Sequence, residues 1–340
     1  MSTALVARLD STGDVLITGP AVRAVAASHD RVVFLAGPRG SEAARLLPGV
    51  DRVVEWAAAW VDFEAPELTM DRVTSLVQAI TEEQPDSVLV FTSYHQSPLP
   101  LALICRMAGV GWIGAICEDY PGTLLDLRHH VVEGVPEPLR ALSLAQAAGA
   151  RLPVGDDGRL RLRRLPPLHP GLAAATAHEF VAFHPGAAVP ARRPSTHKSA
   201  EIVRALGAAG YHVVVTGTEA DRELTAEVAG DDALDLGGRT TLAELASVFA
   251  SARAVIAPNT GPAHLAAAVG TPVVSLFAPV VPAGQWAPYG TAVVLLGDQN
   301  APCRLTRARQ CPVPGHPCLD GIAAADVVAA VAEVRSRGAA

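Results

Sequence analysis

At 340 residues and 35.2 kDa the chain is longer than one hydrophobic core usually sustains, so two domains are expected. Half of its residues are hydrophobic and 18% are charged, which excludes a disordered chain, and a formal charge of −7 leaves no basic face for nucleic acid. No apolar run has the length of a membrane span and the opening MSTALVARLD carries no basic region ahead of an apolar core; a cytoplasmic protein with at most peripheral membrane contact is expected.

In chain order, apolar runs at Ala4 to Leu9, Val32 to Ala36, Arg52 to Glu55, Ser87 to Phe91 and Trp112 to Ile116 read as strands. Between them lie helical patterns at Val15 to Ser28, Ser41 to Leu47, Thr69 to Gln84 and Leu99 to Ala108. This alternation predicts a doubly wound parallel sheet. From Glu118 to Leu168 the pattern weakens before a helix near Leu139 to Ala147. The Arg- and Pro-rich stretch Leu160 to Pro170 then reads as a hinge.

The alternation resumes with strands at Phe180 to His184, His212 to Thr216, Ala254 to Ala257, Val273 to Phe277 and Ala292 to Leu296. Helices are predicted at Thr196 to Ala209, Ala220 to Val228, Leu242 to Ser251 and Ala324 to Arg335. The fold class is therefore α/β, with two Rossmann-like domains, 1–168 and 169–322. The C-terminal segment 323–340 is read as a helix that packs back on the N-terminal domain.

The stretch Val255 to Gly290 is the most informative. A buried strand ends at Pro258, and a helix opens with Asn259 or Thr260 as N-cap, Gly261, and Pro262 in its first turn, where the missing N–H leaves no carbonyl unpaired. Such a helix start aims free amides and about half a positive charge at one spot, which suits a phosphate. His264 falls one turn after Thr260 and leans over the same place. Capping alone would account for Asn259, Thr260 and Pro262 but does not call for Gly, Pro and His together.

The run NTGPAHLAAAVGTPVVSLF, followed by Pro279, Trp286 and Pro288-Tyr289-Gly290, resembles the C-terminal signature of glycosyltransferase family 9, the ADP-heptose:lipopolysaccharide heptosyltransferases. The resemblance implies the GT-B architecture, in which two Rossmann-like domains face a central cleft. It also implies an inverting, metal-independent transfer of a sugar, with ADP-heptose as the donor type. The acceptor would be a glycan, a glycolipid such as lipopolysaccharide core, or a small-molecule glycoside. No cofactor is implied. Family members usually carry Asp where this chain has Asn259.

Further residues take roles from the same resemblance. Thr12-Gly13-Asp14 matches the family's Gly-Asp turn, and Asp14 is assigned as general base, with Thr12 and Gly13 on the acceptor side; as a helix first-turn acid it would also be at home. Arg192 and Arg193 stand in the basic places after the His184-Pro185-Gly186 turn, and Arg192 is assigned to the diphosphate because a guanidinium fork can bind two phosphate oxygens. Glu219, with Asp221 second, occupies the place of a ribose-contacting acid. Thr240 is placed at the nucleobase, and His95 in the polar run Ser93 to Ser97 at the acceptor.

Cys303, Cys311, Cys318 and His316 could together hold zinc, but their spacing lacks a tight C-x-x-C pair and no metal site is assigned. Cys105 and Cys117 sit in apolar runs and are assigned to the core. A nucleotide-sugar epimerase of the same architecture and a nonenzymatic nucleotide-sugar-binding module are the alternatives. The first would release no nucleotide in response to an acceptor, and Asn259 keeps the second open. A NAD-linked dehydrogenase is disfavoured because no G-x-G-x-x-G follows the first strand.

Overall fold

The computed structural model describes residues 1–62, 64–168, 170–175 and 178–338, with side chains left out at 174, 175 and 338. The chain divides into two compact units, Met1–Arg163 and Arg164–Ala340.

In the first unit the order is β1 (Thr3–Arg8), α1 (Thr12–Ile17), α2 (Gly19–Ala26), β2 (Arg31–Ala36), α3 (Ser41–Leu46), β3 (Arg52–Glu55) and α4 (Met70–Glu83). It continues through β4 (Ser87–Val90), α5 (Leu99–Met107), β5 (Trp112–Ile116), β6 (Leu127–His129) and α6 (Glu137–Ala147). All pairings are parallel, in the order β3-β2-β1-β4-β5-β6. β1 is buried along its whole length, which fits a central strand covered on both faces. Leu5, Ala7, Val33, Leu35, Leu76, Ile80, Val88 and Leu101 belong to one core.

The second unit holds α7 (Pro170–Ala175), β7 (Phe180–Phe183), α8 (Thr196–Ala208), β8 (His212–Val215), α9 (Arg222–Ala229), β9 (Leu234–Asp235), α10 (Leu242–Ser251) and β10 (Val255–Pro258). Then follow α11 (Gly261–Ala268), β11 (Val273–Leu276), α12 (Ala283–Trp286), β12 (Val293–Leu296), α13 (Pro317–Asp320) and α14 (Ala324–Gly338). Its sheet runs β12-β11-β10-β7-β8-β9, again all parallel. Read from the other edge, this is the strand order of the first unit. In each sheet the chain winds outward one way, returns to the middle and winds out the other way. The reversal lies between β1 and β4 in one unit and between β7 and β10 in the other.

Several expectations need correction. The helix expected over Val15 to Ser28 starts earlier, at Thr12, and is two helices: Pro20 cannot donate to Leu16, so the chain breaks at Thr18. The strands β6 and β9 and the short helices α7, α12 and α13 were not expected. They are two to six residues long, too short to show a period. The last helix belongs to the second unit and buries its apolar face there. Val327, Ala330, Val331 and Val334 lie in the second unit's core, and the helix packs on α8, β11 and β12. Of the hinge stretch, His169 lies outside the described residues.

Cys105 and Cys117 are buried in the first core. Cys303 and Cys318 are buried in the second, with Cys311 packed against it, and burial pushes the Cys318 thiol up to about 12. Among the described residues, no group of three or more His, Cys, Asp and Glu side chains is arranged to hold a metal ion. None of the described helices is long and apolar enough to cross a membrane.

Candidate active site

Open parallel sheets bind ligands beyond the carboxyl ends of their strands, at the point where strand order reverses. In the first unit that point is framed by the loop leaving β1, residues 9–11, and the loop leaving β4, residues 91–98. The turn after β2 closes against the first of these: a Cβ on Gly37 would lie 2.3 Å from the Leu9 carbonyl oxygen, so no larger residue fits.

Asp14 falls in the first turn of α1. Its Oδ2 accepts hydrogen bonds from the Ser11 amide (3.3 Å) and the Ser11 hydroxyl (2.6 Å), while Oδ1 accepts from Arg8 Nη2 at 3.1 Å. The carboxylate is thus a helix-capping acid, and 17% of its side chain remains exposed. Of the other residues expected on the acceptor side, Thr12 is committed to the fold, its hydroxyl donating to the Arg39 carbonyl at 2.8 Å, and Gly13 is buried. His95 is exposed, its ring edge-on to Tyr94 with centroids 5.6 Å apart. A small pocket lined by Leu9, Trp60, Thr92, Gln96 and Leu101 opens at the same ends of β1 and β4.

Sequence reasoning missed the charges beneath this site. Arg8, 1% exposed, lies with its Nε 2.7 Å from Asp10 Oδ2. Asp10 in turn accepts from Gln96 Nε2 (2.5 Å) and the Ser93 hydroxyl (3.2 Å). From α6, buried Glu137 lies 3.6 Å from Arg140 Nη1, which also donates to the Thr92 carbonyl at 2.7 Å. Burial raises the carboxyl groups of Asp10 and Glu137 above their ordinary range against the pull of Arg8. Burial would lower the Arg8 guanidinium, but Asp10, Asp14 and Glu137 outweigh it and the net shift is upward. The available signal was an arginine inside an otherwise apolar strand two residues before an aspartate.

In the second unit four turns share the carboxyl edge of neighbouring strands β10, β7, β8 and β9. After β7, His184 is buried, its Nδ1 3.1 Å from the Thr216 hydroxyl; burial lowers it to about 4, so the ring is neutral near pH 7. After β8, Asp221 accepts from the Thr218 amide (3.0 Å) and hydroxyl (2.6 Å) and abuts Gly186 and Gly217. Glu219 is exposed and paired with Arg222 at 2.8 Å. Gly237 packs so tightly on Thr225 of α9 that a Cβ would meet its hydroxyl at 1.9 Å, and the Gly238 amide donates to the Gly217 carbonyl at 3.0 Å, which joins the turns after β8 and β9. Thr240 is half-buried there, next to Thr241, which caps α10 by accepting from the Glu244 amide at 3.2 Å.

The fourth turn joins β10 to α11. Thr260 is the N-cap of α11 and Pro262 sits in its first turn. The Thr260 hydroxyl is buried and meets no hydrogen-bond partner among the described residues. His264 is buried one turn on, and Gly261 is half-buried at the helix start. Arg192, in a 3-10 turn at Pro190–Arg192, donates from Nη1 to the Asn259 carbonyl at 3.4 Å, so its guanidinium borders this turn. Lys198, in the first turn of α8, is paired with Glu201 at 2.7 Å. The Asn259 side chain faces inward: Oδ1 accepts from the Ala278 amide (3.1 Å) and Nδ2 donates to the Ala278 carbonyl (3.3 Å). Its amide therefore clips the end of β10 to the segment leaving β11, which an aspartate could not do at both points.

Residues 73–316 match the model of glycosyltransferase family 9 (heptosyltransferase). Among curated proteins the chain is similar to lipopolysaccharide heptosyltransferase 3 of Escherichia coli, 31% identical over 167 residues; the match spans 46% of this chain and 47% of the relative, about half its length. Among solved structures it is similar to E. coli ADP-heptose lipopolysaccharide heptosyltransferase II, with a TM-score of 0.74 and 19% identity over 100% of both chains. E. coli heptosyltransferase WaaC with ADP gives a TM-score of 0.68 at 19% identity over 88% of this chain and 94% of that one. The fold is that of the GT-B heptosyltransferases. With a family match across most of its length, the chain belongs to glycosyltransferase family 9.

Proposed function

We propose that this chain is an inverting glycosyltransferase that moves a heptose from ADP-heptose to the hydroxyl of a glycan or glycolipid acceptor of the lipopolysaccharide-core type. The second unit holds the donor and Asp14 of the first acts as general base. The acceptor oxygen attacks the anomeric carbon and gives its proton to Asp14. The bond to the departing phosphate breaks on the opposite side, and the electron pair leaves with ADP. General-base assistance of this kind contributes about 10²- to 10⁴-fold.

The observation that carries the reading is the β10–α11 turn. A helix start, a buried hydroxyl on Thr260 with no hydrogen-bond partner among the described residues and the guanidinium of Arg192 converge at the strand-order reversal of the second sheet. Fixed dipoles and a fixed cation at that place suit the negative charge that grows on a leaving diphosphate. These groups belong to the chain itself and support transfer without a metal ion; the transfer is proposed to take place in the cytoplasm. Glu219 and Thr240, on the adjoining turns, are proposed to contact the nucleoside. Lipopolysaccharide heptosyltransferase 3 supports the choice of sugar and acceptor by its name, and WaaC with ADP supports the choice of nucleotide.

Calorimetric titration with ADP, in EDTA, tests the donor side. Wild type is expected to bind, and Thr260→Val and Arg192→Ala each to weaken binding by about tenfold, the loss of a hydrogen bond to a charged group. Unchanged affinity in both variants would remove the diphosphate from this turn.

A further inference from the structure

Arg8 closes strand β1 with its side chain 1% exposed. Stripping a guanidinium of water costs several kcal/mol unless it is paired with opposite charge, so the carboxylates around it are what keep it there. Its Nε lies 2.7 Å from Asp10 Oδ2, and Nη2 donates to the Ser93 hydroxyl at 2.9 Å and to Asp14 Oδ1 at 3.1 Å. Asp10 is itself fixed by Gln96 and by the Ser93 hydroxyl, and the Ser93 amide donates to Gln96 Oε1 at 3.2 Å. From α6, Glu137 and Arg140 face the same cluster. The chain of contacts runs from the β4 loop through Asp10 to Arg8 and ends at one oxygen of Asp14, whose other oxygen is held by Ser11.

We propose that Arg8 is the positioning residue for Asp14: its guanidinium fixes the direction of Oδ1 and supplies the positive charge beside a carboxylate that must accept a proton. This rests on the base role proposed for Asp14. The surroundings give Arg8 its importance. Asp10 and Glu137 are negative neighbours that oppose ionisation of Asp14, and Arg140 is bound to Glu137 and the Thr92 carbonyl. Without Arg8, Asp14 would lose the guanidinium bound at Oδ1 while Asp10 and Glu137 stayed in place.

The test is a carboxylate titration followed by NMR on full-length protein carrying ¹³Cγ-labelled aspartate, with the Asp14 signal assigned by its loss in Asp14→Asn. In Arg8→Gln the Asp14 midpoint is expected to rise by about 1–3 pH units, the usual influence of an adjacent opposite charge. Arg8→Lys, a point charge without the fork, is expected to restore most of that shift. If Arg8→Gln does not fold, Ser93→Ala, which loosens Nη2 but keeps the arginine, is expected to move the midpoint in the same direction by less. An unmoved midpoint in Arg8→Gln, or in Ser93→Ala where that is the variant measured, overturns the proposal. Failure of the base role has a different signature, undiminished glycosyl transfer by Asp14→Asn, and leaves the titration result standing.

Discussion

Replacing Asn259 by Asp restores the residue that the family resemblance implies, and the structure predicts that it harms this chain. The side chain is 4% exposed and both of its polar atoms serve the backbone of Ala278. A carboxylate keeps the bond from the Ala278 amide. It loses the one to the Ala278 carbonyl, now facing an oxygen where a donor stood 3.3 Å away. Removing the donor and leaving that buried carbonyl unmatched costs about 1–3 kcal/mol, which is the expected destabilisation. Arg192, at the Asn259 carbonyl, offsets part of the added charge.

A protonated aspartic acid can donate again, so burial raises its folded pKa above the unfolded value near 3.9. The penalty is therefore smallest at low pH and grows as pH rises through the raised folded value. Urea unfolding of wild type and Asn259→Asp at pH 5 and pH 8 measures this directly. Equal stability of the two proteins at pH 8 would refute the clip between β10 and Ala278 as a source of stability.

Other consequences concern stability. His184 is buried and lowered to about 4, below an unfolded value near 6.5. Its contribution is fully present above pH 6.5 and is lost as pH falls from there toward 4; the loss reaches about 3 kcal/mol at about 1.4 kcal/mol per pH unit. Thermal melts across pH 4–7 should show this slope, and His184→Asn should flatten it. Asp156 binds Arg23 at two points, 2.6 and 2.9 Å, tying the loop after α6 to α2, and these bonds hold its carboxyl down to about 2. Asp156→Ala leaves Arg23 buried without its carboxylate and should cost about 3–5 kcal/mol in chemical denaturation. The pair's support is present above about pH 4 and disappears as pH falls through 2.

Much of the architecture was legible because parallel sheets bury their central strands on both faces. Runs such as Leu5 to Ala7 and Val32 to Leu35 can hardly be anything else. The β10–α11 turn was legible for a different reason: Pro258, Pro262 and Gly270 punctuate it, each where only one local geometry suits the residue. Asn259 was visible as a position, but its use was not. Whether an amide faces a ligand or its own backbone depends on Ala278, nineteen residues away.

The charge cluster under Asp14 shows the same limit. Glu137 precedes Pro138 in the first turn of α6, and the apolar pattern that reveals the helix begins only at Leu139. Arg8 meets Ser93 from the loop leaving β4, a contact set by the pairing of β1 with β4 and carrying no mark in local sequence. A three-residue strand such as β6, with one exposed and two half-buried side chains, shows no alternation to detect.

The most direct test of a sugar transfer driven by Asp14 is to measure glycosyl transfer and donor affinity in the same variant. With ADP-heptose as donor and purified lipopolysaccharide core as acceptor, Asp14→Asn is expected to slow transfer by about 10²- to 10⁴-fold. Its dissociation constant for ADP should stay at the wild-type value, because the carboxylate belongs to the first unit. Transfer at the wild-type rate by that variant would contradict the account.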